Sequence, residues 1–220
     1  MTTSATSNPT PTATATVTLA NVSKFFGRFP ALLSINAEFH AGEVCALLGG
    51  NGSGKSTLMR IIAGLARPSE GAVTRTARVG YMAHASMLYD EMSGVENLEY
   101  AAALYGIKGQ TKDHCATAMR DVGLDPTLSR LVRDYSQGMR QRLSLARAII
   151  HDPDLILLDE PFSNVDAASA AQMLDLLARL KSRQKTIIIV THQPELLRAL
   201  ADRSITLADG RVAHDTRGHA

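Results

Sequence analysis

A chain of 220 residues with 45% hydrophobic side chains is long enough for one large domain, or one domain carrying a subdomain, around a sizeable core. Its 23 basic and 21 acidic residues leave a formal net charge of +2, which argues against a dedicated nucleic-acid binder. The two cysteines, Cys45 and Cys115, show no metal or redox spacing and read as reduced thiols. No uncharged apolar stretch approaches the roughly 18 residues of a membrane span.

Residues 1–16 are Ser, Thr, Ala and Pro with almost nothing apolar, which predicts a disordered tail without the features of a secretory signal. Alternation over Val17–Val22 predicts a strand, and Leu33–Phe39 a second. Between them stand two adjacent aromatics, Phe25 and Phe26; position alone favours a place in the core, with stacking of Phe26 on a nucleobase as the other reading. Glu43–Leu48 has the length of a buried strand, and Leu58, Ile61, Ile62 and Leu65 recur at helical spacing. Pro68–Gly71 reads as a turn and Arg78–Met82 as a short strand. From about 85 to 135 the text changes: Val95–Tyr105 and Lys112–Val122 read as helices with no strand between them, a helical subdomain inserted into an α/β core. Leu155–Asp159 and Thr186–Val190 are continuous apolar runs suited to a parallel sheet, separated by a helix marked by Met173 to Leu180. A last strand pair covers Ile205–Ala208 and Arg211–Val212.

The chain is organised around Gly49-Gly50-Asn51-Gly52-Ser53-Gly54-Lys55-Ser56-Thr57, which fits G-x-x-x-x-G-K-[ST] between a strand and a helix. The glycines let the backbone turn its N–H groups toward a phosphate at the helix N-terminus; Lys55 would reach β- and γ-phosphates and the Ser56 hydroxyl would bind Mg²⁺. Asp159-Glu160 follows an apolar strand at the end where open α/β sheets bind ligands. There Asp159 suits hydrated Mg²⁺ and Glu160 suits deprotonation of an attacking water. His192 also ends a strand, within reach of a γ-phosphate, although a lone His is more often a surface residue. Ser136 suits an N-cap and Gly138 a close backbone approach at the start of a helix to about Ile150.

In order and spacing, these motifs together with Ser163-Asn164-Val165-Asp166 resemble the ATP-binding subunit of an ABC transporter, over about Val17–Val212. That resemblance implies an α/β P-loop NTPase (RecA-like) core with an N-terminal β-subdomain and an inserted helical signature subdomain. It further implies ATP and Mg²⁺ as cofactors, a second ATPase subunit in a dimer, and a transmembrane permease subunit holding the chain at the cytoplasmic face of the cell membrane. Within it Phe26 takes the adenine-stacking place, Glu160 that of the catalytic base and His192 that of the switch histidine. Ser136 and Gly138 take the signature places, which contact the γ-phosphate on the other subunit, and Asp166 that of the aspartate linking the two sites. The chain departs from the family's pattern at Gly50, at Tyr135-Ser136-Gln137-Gly138-Met139, and at His84, where the family expects a glutamine. The text from Tyr81 to Tyr89, with Val95–Leu98 and Ser136–Met139, is similar to the ATPase of the cytochrome c maturation haem exporter. Other small-molecule or lipid exporters, and a soluble ABC-type assembly ATPase, are the alternatives it leaves.

Overall fold

The computed structural model describes residues 15–109 and 111–217. The expected tail falls mostly on 1–14, outside the described residues; Ala15 and Thr16, which that expectation included, begin a strand.

Strand β1 (Ala15–Phe26) forms a hairpin with β2 (Phe29–His40), and β4 (Glu70–Arg75) pairs with the other edge of β1, giving an antiparallel sheet in the order β2-β1-β4. β4 replaces half of the expected turn at Pro68–Gly71. Its six residues are exposed or half-buried, so they carry no apolar alternation. It approaches a register shift in β1 so closely that a Cβ at Gly71, where φ is +80°, would run into the Ala20 and Asn21 carbonyls.

The second sheet has the order β5-β6-β7-β3-β8-β9, formed by β3 (Val44–Gly49), β5 (Val79–Met82), β6 (Leu155–Asp159), β7 (Thr186–Val190), β8 (Arg203–Ala208) and β9 (Arg211–Arg217). All its pairings are parallel except β8 with β9. Its central strands are apolar on both faces because both are covered. Cys45, Leu47, Leu157 and Ile188 pack with α1 (Lys55–Ile62) and with Val17, Leu19, Ile35 and Phe39 of the small sheet. Their neighbours Val44, Ala46, Ile156, Leu158, Ile187 and Ile189 pack on the opposite face. That face is covered by α2 (Gly94–Leu104), α3 (Thr111–Asp121), α4 (Gln137–Ile149) and α5 (Ala167–Ser182). Each fully buried Leu or Ile contributes about 1.5–3 kcal/mol, so this two-sided burial holds the strand ends in place.

Helix starts follow their caps. Ser93 and Glu96 form a reciprocal capping box at α2, Ser136 accepts from Met139 N at 3.3 Å at α4, and Asp166 accepts from Ser169 N at 2.8 Å at α5. Strand order places the C-terminal ends of β6, β7 and β3 side by side, and the loops that leave those ends form the site.

Candidate active site

The loop between β3 and α1 is held by its glycines. Gly49 sits at φ +140°, where a Cβ would meet the Leu207 carbonyl of β8 and lie 2.7 Å from Ser53 Oγ; Gly54, at φ +104°, approaches the Ala31 carbonyl and Leu32. At Gly50 nothing lies within 4 Å of a Cβ, so the departure from the family's pattern there carries no steric demand. The Lys55 ammonium is buried and donates to the Gly49 carbonyl at 2.7 Å and the Gly50 carbonyl at 2.9 Å, closing the loop around itself. No side chain caps α1, which leaves the N–H groups of its first turn without a side-chain acceptor, as an anion site at a helix N-terminus requires.

A cleft of about 560 Å³ opens over this loop, lined by Asn51 to Thr57, His84, Asp159, Glu160, Ser163 and His192, among others. Asp159 is buried at the end of β6. Burial, and then the Asp159 carboxylate, push the Tyr81 hydroxyl up to about 12. Glu160 follows with its backbone in the left-handed region, at φ +57°, which is uncommon for a residue with a Cβ. Glu160 Oε2 accepts from His192 N at 3.3 Å and from Ser163 Oγ at 3.4 Å; Oε1 accepts no hydrogen bond and lies 3.4 Å from His192 Nε2. His84 is exposed and borders the same cleft. Ser56 and Asp159 present a hydroxyl and a carboxylate, hard oxygen donors that suit Mg²⁺, which takes one or two protein oxygens and completes its shell with water and phosphate. Among the described residues no group of three or more His, Cys, Asp and Glu could hold a metal alone.

Outside the phosphate loop itself, whose Gly49 and Gly50 lie just off the lining, four expected site residues stand away from the cleft. Phe26 is 56% exposed at the β1–β2 hairpin, with the Lys24 ammonium 5.3 Å from its ring, so the core place that position alone suggested is corrected. Ser136 is exposed at the N-terminus of α4, and Gly138, the second residue of that helix, is half-buried, where an added Cβ would lie 3.4 Å from Val165 Cγ1. Asp166 spends both carboxylate oxygens on α5, accepting from Ser169 N and Ser169 Oγ (3.0 Å); these bonds hold its carboxyl below the usual carboxylate range.

Two features had no signal in the sequence. Gln141, buried in α4, donates from Nε2 to the Glu160 carbonyl at 2.7 Å, a contact between residues 19 apart that periodicity cannot show. Asn97, buried in the first turn of α2, accepts from Tyr89 N at 2.8 Å and donates to the carbonyls of Tyr89 (3.0 Å), Ser93 (3.0 Å) and Met92 (3.4 Å). It thereby shapes a loop beside a shallow groove lined by Met87, Leu88, Tyr89, Tyr100, Leu104 and Arg147. Met87, Tyr89, Tyr100 and Leu104 are all exposed there.

The family model described as ABC transporter matches residues 32–163. The ABC transporter ATP-binding protein NatA of Bacillus subtilis is 35% identical over 198 residues, covering 84% of this chain and 80% of that protein. An aliphatic sulfonates import ATP-binding protein, SsuB 1 of Paracoccus denitrificans, is 37% identical and covers 91% of this chain and 83% of its own. A fluoroquinolones export ATP-binding protein of Mycobacterium tuberculosis is 35% identical over 83% of this chain and 64% of its own. In three dimensions the chain is similar to the ATP-binding cassette MJ0796 in a dimeric post-hydrolysis state bound to ADP and Pi. There the TM-score is 0.84 at 27% identity, over 91% of this chain and 98% of that one.

Proposed function

Because the chain belongs to the ABC transporter family, with the ATPase cassette fold and the ATP-hydrolysing activity of its ATP-binding subunits, we propose that the cleft over the phosphate loop is its catalytic site and that the site is completed by a second subunit. The observation that carries this reading is a separation. Lys55, Ser56, Asp159, Glu160 and His192 line one cleft, while Ser136 and Gly138 sit outside it at an exposed helix N-terminus. Such an N-terminus, with its N–H groups and a hydroxyl, suits a phosphate carried by another copy of the chain.

In this reading Lys55 exchanges the Gly49 and Gly50 carbonyls for β- and γ-phosphate oxygens, and the first turn of α1 donates to the same phosphates. Ser56 and Asp159 would hold Mg²⁺, which would offset phosphate charge when bound. Glu160, whose carboxylate accepts from the His192 amide and Ser163 hydroxyl, takes the proton of the attacking water, and the His192 ring donates toward the γ-phosphate. Phe26 stacks on the adenine, Asp166 links the two sites across the dimer, and His84 reports the γ-phosphate to the segment beside it. The exposed groove from Met87 to Leu104 receives a transmembrane permease subunit. That subunit holds the chain at the cytoplasmic face of the membrane, consistent with the absence, among the described residues, of any helix long and apolar enough to cross it.

The finer reading is an exporter of the haem and cytochrome c biogenesis type, supported by the residues from Tyr81 to Tyr89, Val95 to Leu98 and Ser136 to Met139. The relatives bear names for both sulfonate import and fluoroquinolone export, so the cargo is tested directly by identifying the membrane protein that copurifies from gently solubilised cells. The shared site is tested by mixing Lys55→Ala with Ser136→Arg. Each protein alone should be inactive, and the mixture should recover part of the wild-type rate through the one composite site that keeps both motifs. A Ser136→Arg protein that hydrolyses ATP at the wild-type rate by itself would refute the shared site.

A further inference from the structure

Helix α4 does two things at once. Its N-terminus is exposed at Ser136 and Gln137 and half-buried at Gly138, and about one turn further on Gln141 is buried and donates from Nε2 to the Glu160 carbonyl at 2.7 Å. The Glu160 backbone lies at φ +57° and its N–H donates to the Val190 carbonyl of β7 at 3.0 Å. A side chain with a Cβ stays in that conformation only where its surroundings over-determine it. The bonds to its carboxylate do not do so: those from His192 N and Ser163 Oγ are 3.3 and 3.4 Å, near the long limit for a hydrogen bond. The short bonds are on the backbone, one from β7 and one from α4. A carbonyl can only accept, so the Gln141 amide is fixed with its nitrogen toward Glu160.

We propose that Gln141 is a positioning residue through which α4 sets the carboxylate of Glu160 in its own subunit, so that seating of the α4 N-terminus on a partner's nucleotide and alignment of the local base are mechanically one event. The inference rests on the reading of Glu160 as the base and of Ser136 and Gly138 as a site offered to a second subunit. Rigid helices carry displacement over one turn with little loss, and a shift of about 1 Å in a reacting group costs on the order of 10²-fold in rate.

The test uses the full chain. Gln141→Met keeps length and volume but cannot donate. It should lower kcat by about 10- to 100-fold, with ATP affinity unchanged. In a Glu160→Gln background it should change the residual rate no further, because the group it aligns is gone. Gln141→Glu hydrogen-bonds a carbonyl only while protonated, so its rate relative to wild type should rise as pH falls. An unchanged kcat in folded Gln141→Met, equal losses in the two backgrounds, or a flat pH ratio for Gln141→Glu would each overturn the proposal. A wild-type rate for Glu160→Gln would instead overturn the base assignment beneath it.

Discussion

Asp215→Ala should destabilise the chain without touching the cleft. Arg203 of β8 is 4% exposed at its side chain, and Asp215 of β9 grips it with both oxygens, at 2.7 and 2.6 Å. The same guanidinium donates to the Glu38 carbonyl of β2 and lies 3.4 Å from Glu43 Oε1, so one cation ties both sheets together. Removing one partner of a buried ion pair costs about 3–5 kcal/mol, because the remaining charge stays buried without it. Two features lower that figure here: the Asp215 side chain is 37% exposed, and Glu43 stays beside the guanidinium. A loss of about 2–3 kcal/mol remains. In a domain of this size that corresponds to a Tm lower by about 4–12 °C. The Arg203 hydrogen bonds hold the Asp215 carboxyl below the usual carboxylate range. A depressed carboxylate contributes its stability in full above its unfolded value of about 3.9 and loses it as pH falls through the lower folded value. Thermal unfolding should therefore show a constant gap between variant and wild type from about pH 8 to pH 5, narrowing only below about pH 4. A shift under about 2 °C, or a gap that widens on acidification, would refute the argument.

Phe26→Ala should weaken ATP binding by about 5- to 150-fold, the value of 1–3 kcal/mol for stacking one base on an aromatic ring, while leaving affinity for inorganic triphosphate unchanged; equal losses for both ligands in titration calorimetry would remove Phe26 from the adenine. His84→Ala should lose permease-stimulated ATP hydrolysis in membranes more than basal hydrolysis, with His84→Gln keeping part of the stimulation; two unchanged rates would leave His84 a solvated bystander.

The phosphate loop and the central strands were legible because their signals are local and redundant. Leu155–Leu158 and Ile187–Val190 are apolar at every position, which only a strand covered on both faces requires. β4 was hidden because its residues face water and its place is fixed by the Gly71 approach to β1, a long-range fact. Phe26 was ambiguous for a related reason: a pair of adjacent aromatics says that one of them is turned outward in a strand but not which. Asp159, Glu160 and His192 could be placed at strand ends, yet the left-handed backbone of Glu160 and the bond its carbonyl accepts from Gln141, 19 residues away, are matters that no local pattern encodes.

Asn97 has a consequence for how this chain can change over time. The loop from Tyr89 to Ser93 keeps its shape through four hydrogen bonds to one buried side chain, and every one of them ends on a main-chain group. The side chains that project into the groove, Met87, Tyr89, Tyr100 and Leu104, take no part in those bonds. Shape is thus carried by one buried amide and by main-chain groups, and most of the surface chemistry by other side chains. Substitutions can rewrite the groove's surface while the loop beneath stays as it is; if the groove receives the permease as proposed, a duplicated copy of this chain has a short mutational route to another membrane protein.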